Sequence, residues 1–428
     1  MPQSERLYYS DSFLRDFAGT VAAVREFAGS QGWQLSLNRT AFYPTSGGQP
    51  FDLGTLLAPS PGGTTLEIPV EEVAEDENGI VWHLVRQPLA VGTQVEGRID
   101  WHRRFDHMQQ HTGQHLLSAI FLKELKAPTV SFHLGEESST IDLAIPPPAH
   151  HSLERVERIA NEIIGEDRAV TTSYVSRDEA EALLTVGDLR KLPDREGVIR
   201  LIDIANCDRN ACGGTHVRST GQIGGLLVRG TEKVSRGVRV EFVCGLRAIR
   251  TARRDAMVLT EITGLLSTGA PELPATVKRL LADIKSGSRE HQKLSEELAT
   301  FQAAKLISEE PVRNSLRLLV REWKDRDRDF VRMLASRTVA AAPSTAVVFC
   351  AKDSDPARVY IARSPDLNFH CGTVLRELLS NFGLRGGGSP DLAQGDVPRE
   401  HEQKFLALAV DTIRNLAPPN ADSIDPSN

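Results

Sequence analysis

Two short segments far apart in the chain carry metal-binding side chains at one shared spacing, and they constrain the fold more than any other feature. HMQQHTGQHLLSAIF (107–121) places His111 and His115 four residues apart, just ahead of an apolar run. Residues four apart on an α-helix lie on one face, so both imidazoles can aim at one point. CGGTH repeats the spacing with Cys212 and His216, around glycines that let the backbone come close. Either pair alone has a plain structural reading, as a hydrogen-bonded helix pair or a glycine turn. Together they make a tetrahedral zinc set of N and S ligands, provided the fold brings the segments together. Four protein ligands would close the metal as a structural site, whereas a catalytic zinc keeps one position open, and the spacing leaves both readings standing.

The neighbours of these motifs are less specific. His107 extends the helix face but lies roughly two turns from His115, too far to share its metal, and is read as structural or as lying beside the site. Gln114 falls out of phase with the histidine pair and suits either a contact to substrate or water, or a structural role. Asp208, next to Cys207, is either a partner for a ligand imidazole or a solvated loop acid. His133 alternates with apolar residues in SFHLG and reads as a sheet histidine. No HExxH is present, nor an HxE with PCxxC, nor zinc-finger spacing, which argues against a metalloprotease, a zinc deaminase and a zinc finger.

With 428 residues, 40% of them hydrophobic, the chain can build several cores without staples. Its five cysteines show no framework spacing, which fits a reducing, cytoplasmic setting. No basic and apolar leader opens the sequence and no run approaches a membrane span, so no membrane partner is expected. The net charge of -7 means that any contact with phosphates must come from local patches.

The pattern along the chain predicts an α+β protein. Residues 1–95 alternate short apolar runs with turn signals, as in WQLSLNRTAF and GIVWHLV, and read as a small β-barrel domain with a glycine-rich loop. Residues 96–245 mix helix and strand around the metal motifs, as expected of an α+β zinc-containing domain. Over 246–314, Val277, Leu280, Ile284, Gly287, His291, Leu294, Leu298 and Phe301 space out as an a/d seam, predicting a helical hairpin or coiled-coil spacer, compatible also with a homodimer. Strands and helices alternate again over 315–418, an α/β pattern, and 419–428 is a polar tail expected to be disordered.

HTGQHLLSA and CGGTHV, preceded by NRTAFYPTSGGQP and followed by FGLRGGGSPDLAQG, resemble the alanyl-tRNA editing family. The first three motifs are similar to the synthetase's editing domain and to the free-standing AlaX proteins. The fourth is similar to the glycine-rich motif of the synthetase's DHH-associated C-terminal domain, so the resemblance is to the long form of AlaX and covers nearly the whole chain. Threonyl-tRNA synthetase shares the HxxxH and CxxxH logic, but FYPTSGGQP and RGGGSPDLAQG favour the alanine side.

The resemblance implies a Zn2+ site at His111, His115, Cys212 and His216, and hydrolysis of a wrong amino acid, serine first and glycine second, from alanine tRNA. It implies that Thr40 sorts the amino acid and that Gly47, Gly48 and Gln49 lie over the pocket. Thr45 and Ser46 depart from the acid or glycine of many members. Thr40, Gln49 and Gln114 are thus the candidate catalytic residues, and Thr40, Gly47, Gly48, Gln49 and Arg104 the candidates for substrate binding. A site that hydrogen-bonds serine's hydroxyl can select it, whereas an apolar pocket cannot, and Thr40 has the chemistry for that contact. Phosphate contacts are expected among Arg103 and Arg104, Lys233, Arg236 and Arg239, and Arg247 to Arg254, with Gly386, Gly387 and Gly388 allowing close backbone approach. ATP binding is a further association of the family. Two other functions fit the same motifs: a zinc-stabilised RNA-binding protein without turnover, and a metal-dependent hydrolase of small esters.

Overall fold

Residues 4–27, 32–60, 63–187, 189–190, 192 and 197–416 are described by a computed structural model; the expected disordered tail, 419–428, lies outside them. The chain divides into two compact units, Met1–Ile262 and Thr263–Asn428. Its mixed α+β character is the one read from the pattern. Among the described residues no helix is long and apolar enough to cross a membrane.

The first unit begins with an antiparallel sheet of seven strands, in the order Thr65–Val70, Gly54–Pro59, Gln94–Ile99, Asp16–Glu26, Trp33–Leu37, Val81–Val85, Glu72–Glu75. Alternation in these strands turns Leu35, Leu37, Leu56, Ile68 and Val81 onto one buried face around Phe42. The expected barrel is closed differently from a hydrogen-bonded cylinder. Its two edge strands are not paired to each other, but the chain runs from one into the other through Glu71, whose N–H donates to Leu84 O at 2.9 Å. The sheet is therefore rolled, and its edges meet covalently.

Trp101–Leu125 follows as one long helix, started by Asp100, whose side chain accepts from Arg103 N, and ended by Lys126 in the left-handed region. Met108, Leu116, Leu117, Ile120 and Phe121 pack on Ile141, Leu143, Val240 and Phe242, residues of the antiparallel sheet Thr129–Leu134, Ser139–Leu143, Gly237–Cys244, Leu226–Val234. Burying each such side chain contributes about 1.5–3 kcal/mol. Gly113 is what lets the helix seat this deeply, because a Cβ there would stand 2.3 Å from Cys244 Sγ. A three-stranded sheet, Val170–Val175, Ile199–Ile204, Asp208–Ala211, carries the chain toward CGGTH.

In the second unit the helix Leu273–Glu309 packs by a face other than the predicted seam. Ala299 and Ala303 bury against Leu319, Val331 and Phe349, since small side chains permit close approach, while Ile284, Leu294 and Phe301 of the seam are exposed. The sheet of this unit is mixed. Arg317–Trp323 and Thr345–Ala351 run parallel across a helical crossover, but Ala357–Arg363 returns antiparallel. Five residues, 352–356, separate those last two strands, too few for the crossover that a parallel pair needs.

Candidate metal centre

The buried helix and the CGGTH loop bring His111, His115, Cys212 and His216 together, with one donor atom from each within 4.8 Å of all the others. His111 Nε2 lies 3.4 Å and His216 Nε2 3.3 Å from Cys212 Sγ. The three imidazole centroids are 4.4, 4.8 and 5.2 Å apart. Gly214 makes this approach possible, as a Cβ there would meet His111 Cε1 at 2.1 Å.

Two of the rings are hydrogen-bonded through their other nitrogen, and the third has a carboxylate at ion-pair distance. Gln49 Oε1 lies 2.8 Å from His111 Nδ1, Thr112 Oγ1 lies 3.1 Å from His216 Nδ1, and Asp208 Oδ2 stands 3.4 Å from His115 Nδ1. Three Nδ1 atoms facing oxygens leave three Nε2 atoms converging on a sulfur, the donor set and orientation that a cation site requires. These residues can hold a metal ion.

The electrostatics agree. Burial would push the Cys212 thiol up, but the imidazoles of His111 and His216 outweigh it and hold the group well below the ordinary thiol value. The Gly214 N–H also donates to Sγ at 3.3 Å, a further interaction that favours negative charge on the sulfur. Burial and the His111 ring bring His216 down to about 3. Burial works against a charge on His115 too, yet Asp208 and Cys212 raise it to about 9. Asp208 is lowered in spite of its own burial by His115 and by Arg190, whose Nη2 contacts both carboxylate oxygens at 2.7 Å.

Gln49 is fully buried and ties the glycine-rich loop to the centre, since Nε2 donates to Thr215 Oγ1 at 2.8 Å and Oε1 accepts from Thr215 N at 3.0 Å. Gly47 and Gly48, with φ of 54° and 80°, form a tight turn closed by Ser46 and Gln49, a shape that both positions need positive φ to make. A Cβ at Gly48 would also meet Phe132 at 2.7 Å, and the Phe132 ring stacks 5.8 Å from His111. Gln114 donates to Ser118 Oγ at 2.9 Å, while its Oε1 is buried with no partner among the described residues.

Other candidates sit elsewhere. Thr40 is fully buried, with its hydroxyl 2.8 Å from His83 Nε2 and accepting from Phe42 N. Arg104, expected at the substrate, is instead a core residue: it pairs with Asp52 and donates to Ser12 O and Ala41 O. Arg239 pairs with Asp142 at 2.7 Å, and Arg236 is exposed at the turn between two strands. In the second unit Gly386 to Gly388 form an edge strand in which packing demands glycine at the two ends, since a Cβ at Gly386 would meet Leu379 at 2.4 Å and one at Gly388 would meet Leu392 O at 2.3 Å. Thr112, Thr215 and Arg200 were not anticipated. Arg200 holds the CGGTH loop by donating to Cys212 O and Gly214 O, and no local pattern marks any of the three.

Three family models match the chain: tRNA synthetases class II (A) over residues 2–103, the threonyl and alanyl tRNA synthetase second additional domain over 199–240, and the DHHA1 domain over 315–415. These are domain types of the alanyl- and threonyl-tRNA synthetase kind. More particularly, the chain is a relative of the long-form alanyl-tRNA editing proteins. It is 28% identical to the alanyl-tRNA editing protein AlaX-L of Pyrococcus horikoshii over 96% of this chain and 98% of that one. It is 32% identical to the alanine–tRNA ligase of Pyrococcus abyssi over 93% of this chain, and spans 42% of that enzyme's length. The C-Ala domain of Aquifex aeolicus alanyl-tRNA synthetase aligns with 25% of this chain and 96% of its own, at 20% identity and a TM-score of 0.23, a likeness too distant to carry an argument.

Proposed function

We propose that the chain is an aminoacyl-tRNA deacylase that removes a wrong amino acid, serine first and glycine second, from alanine tRNA supplied in trans in the cytoplasm. One observation carries this reading: three imidazoles and a cysteine sulfur from distant segments converge at a loop, Ser46–Gln49, that resembles the pocket loop of editing enzymes. His111, His115, Cys212 and His216 would hold Zn2+. Their N···S separations of 3.3 and 3.4 Å are close to the roughly 3.5 Å edge of a tetrahedron with zinc bonds of about 2.0–2.3 Å.

A bound zinc supplies Lewis acidity and a fixed contact for a substrate amino or hydroxyl group. The chain's own residues do the rest. Gln49 fixes the tautomer of His111 and holds the loop, and Gly47 and Gly48 keep that loop free of side chains where substrate would pass. Gln114 Oε1, buried and without a partner among the described residues, is an acceptor left over on the metal helix. An amino acid ester is already activated, so positioning it against water is the larger part of the task.

The test is incubation of the protein with serine-charged and alanine-charged alanine tRNA. Release of serine with alanine retained is the expected result, and Cys212→Ala should abolish both release and metal content. Binding of either tRNA without release would overturn the reading in favour of an RNA-binding module. Hydrolysis indifferent to the tRNA body would point to a small-ester hydrolase.

A further inference from the structure

His107 stands one turn ahead of His111 on the buried helix and has no part in the metal centre. It is 2% exposed. Its Nδ1 is enclosed without a partner, and no hydrogen bond reaches the ring from any described residue. Buried polar groups are nearly always paired, so an orphaned one calls for a cause. The ring lines a cavity of about 450 Å³, whose walls include Trp101, Phe105, Leu246, Arg247 and Arg250.

The composition of those walls is specific. Trp101 and Phe105 lie with centroids 5.5 Å apart and planes 32° apart. The Arg15 guanidinium covers one face of Trp101 at 4.0 Å, and Leu246, 59% exposed, adds an aliphatic lip. Of the arginines, Arg247 pairs with Asp106, and Arg103 with Glu136 at 3.3 Å. Arg250 is exposed with no ion pair among the described residues.

We propose that this cavity binds a nucleotide unit, with its base against the Trp101 and Phe105 wall, the base edge hydrogen-bonded to His107, and its phosphate on Arg250. An aromatic wall alone would accept any flat apolar group, and a free arginine alone any anion; the combination selects a ligand that is both. Because Nδ1 is sealed, the contact falls to Nε2. Burial and the charges of Arg103 and Arg247 hold His107 down to about 3, so the ring is neutral and Nε2 meets a base edge as a single donor or a single acceptor, according to the tautomer. The same chemistry describes the ligand whether it is a residue of an RNA strand or a free mononucleotide.

The full chain is titrated with adenosine monophosphate, ribose 5-phosphate and a short mixed-sequence oligoribonucleotide, while tryptophan fluorescence is read. Adenosine monophosphate binding identifies a free nucleotide; oligoribonucleotide binding alone identifies a residue of a strand. In either case Arg250→Ala should weaken binding about tenfold, the scale of one charge-assisted hydrogen bond, and His107→Phe should weaken it at unchanged metal content. Should neither probe bind, should ribose 5-phosphate bind as well as adenosine monophosphate, or should both variants bind like wild type, the proposal is overturned. If His107→Phe does not fold, the exposed Arg250→Ala decides alone. None of these readouts requires deacylation, so the site stands or falls apart from the reaction proposed above.

Discussion

Gln49 Oε1 sits 2.8 Å from His111 Nδ1, so a residue of the glycine-rich loop sets the direction of a metal-binding imidazole on the buried helix. Removing that acceptor should free the ring to rotate. Gln49→Leu is expected to lower metal affinity by roughly 10–100-fold, the usual effect of losing such a partner, while Gln49→Glu, which keeps an acceptor, should lose far less. Competition with a chromogenic chelator measures both. Equal affinities in wild type and Gln49→Leu would show that the loop does not aim the ligand.

The pKa values near the cluster predict how metal uptake depends on pH. His115 is raised to about 9, His216 is lowered to about 3, and Cys212 is lowered well below the ordinary thiol value. Of the two imidazoles, only His115 carries a proton at neutrality that a metal must displace. Its share of the pH dependence is a rise in apparent affinity of about tenfold per pH unit up to about 9, followed by a plateau. Because the folded-state value lies above the ordinary one of about 6.5, the protonated His115 stabilises the metal-free fold fully below that ordinary value. This stabilisation disappears as pH rises through about 9. Chelator competition across the range checks the slope; a flat profile between neutrality and 9 contradicts it.

Two adjacent glycines should respond differently to the same change. A Cβ at Gly214 would fall 2.1 Å from His111 Cε1 and 2.4 Å from Nδ1, whereas one at Gly213 would meet nothing closer than the Tyr9 hydroxyl at 3.5 Å. Gly214→Ala is expected to lose most of its bound metal and Gly213→Ala to keep it, as read by elemental analysis of the purified proteins. Similar metal content in the two variants would mean that His111 can yield without leaving the cluster.

What the sequence revealed of this site and what it hid have a common physical origin. His111 with His115 and Cys212 with His216 were readable because i, i+4 geometry is local and each pair is incomplete without the other. Thr112 faces its imidazole across helix packing that no short window contains, whereas Asp208, a candidate from its place beside Cys207, needed the fold to decide between imidazole partner and solvated acid. Arg103 and Arg104 are neighbours in WHRRF and look alike as letters, yet the helix turns one toward Glu136 at the surface and the other into the core with Asp52. Arg239 belongs to a basic run, but strand register places Asp142 opposite it. The a/d spacing of 277–301 describes a real helical stripe, and Ala299 and Ala303 nevertheless supply the packing face.

The burial of Arg104 sets the last expectation. Arg104 and Asp52 are both fully inaccessible, and the guanidinium also bonds Ser12 O and Ala41 O. Taking away one partner leaves an uncompensated charge in the core, which costs about 3–5 kcal/mol, whereas exchanging both for apolar groups of similar volume is often close to neutral. Arg104→Met should thus lower the denaturant midpoint strongly, and the double variant with Asp52→Leu should recover much of the loss. If Arg104 instead served the substrate directly, Arg104→Met would unfold at the wild-type midpoint and show its defect only in KM.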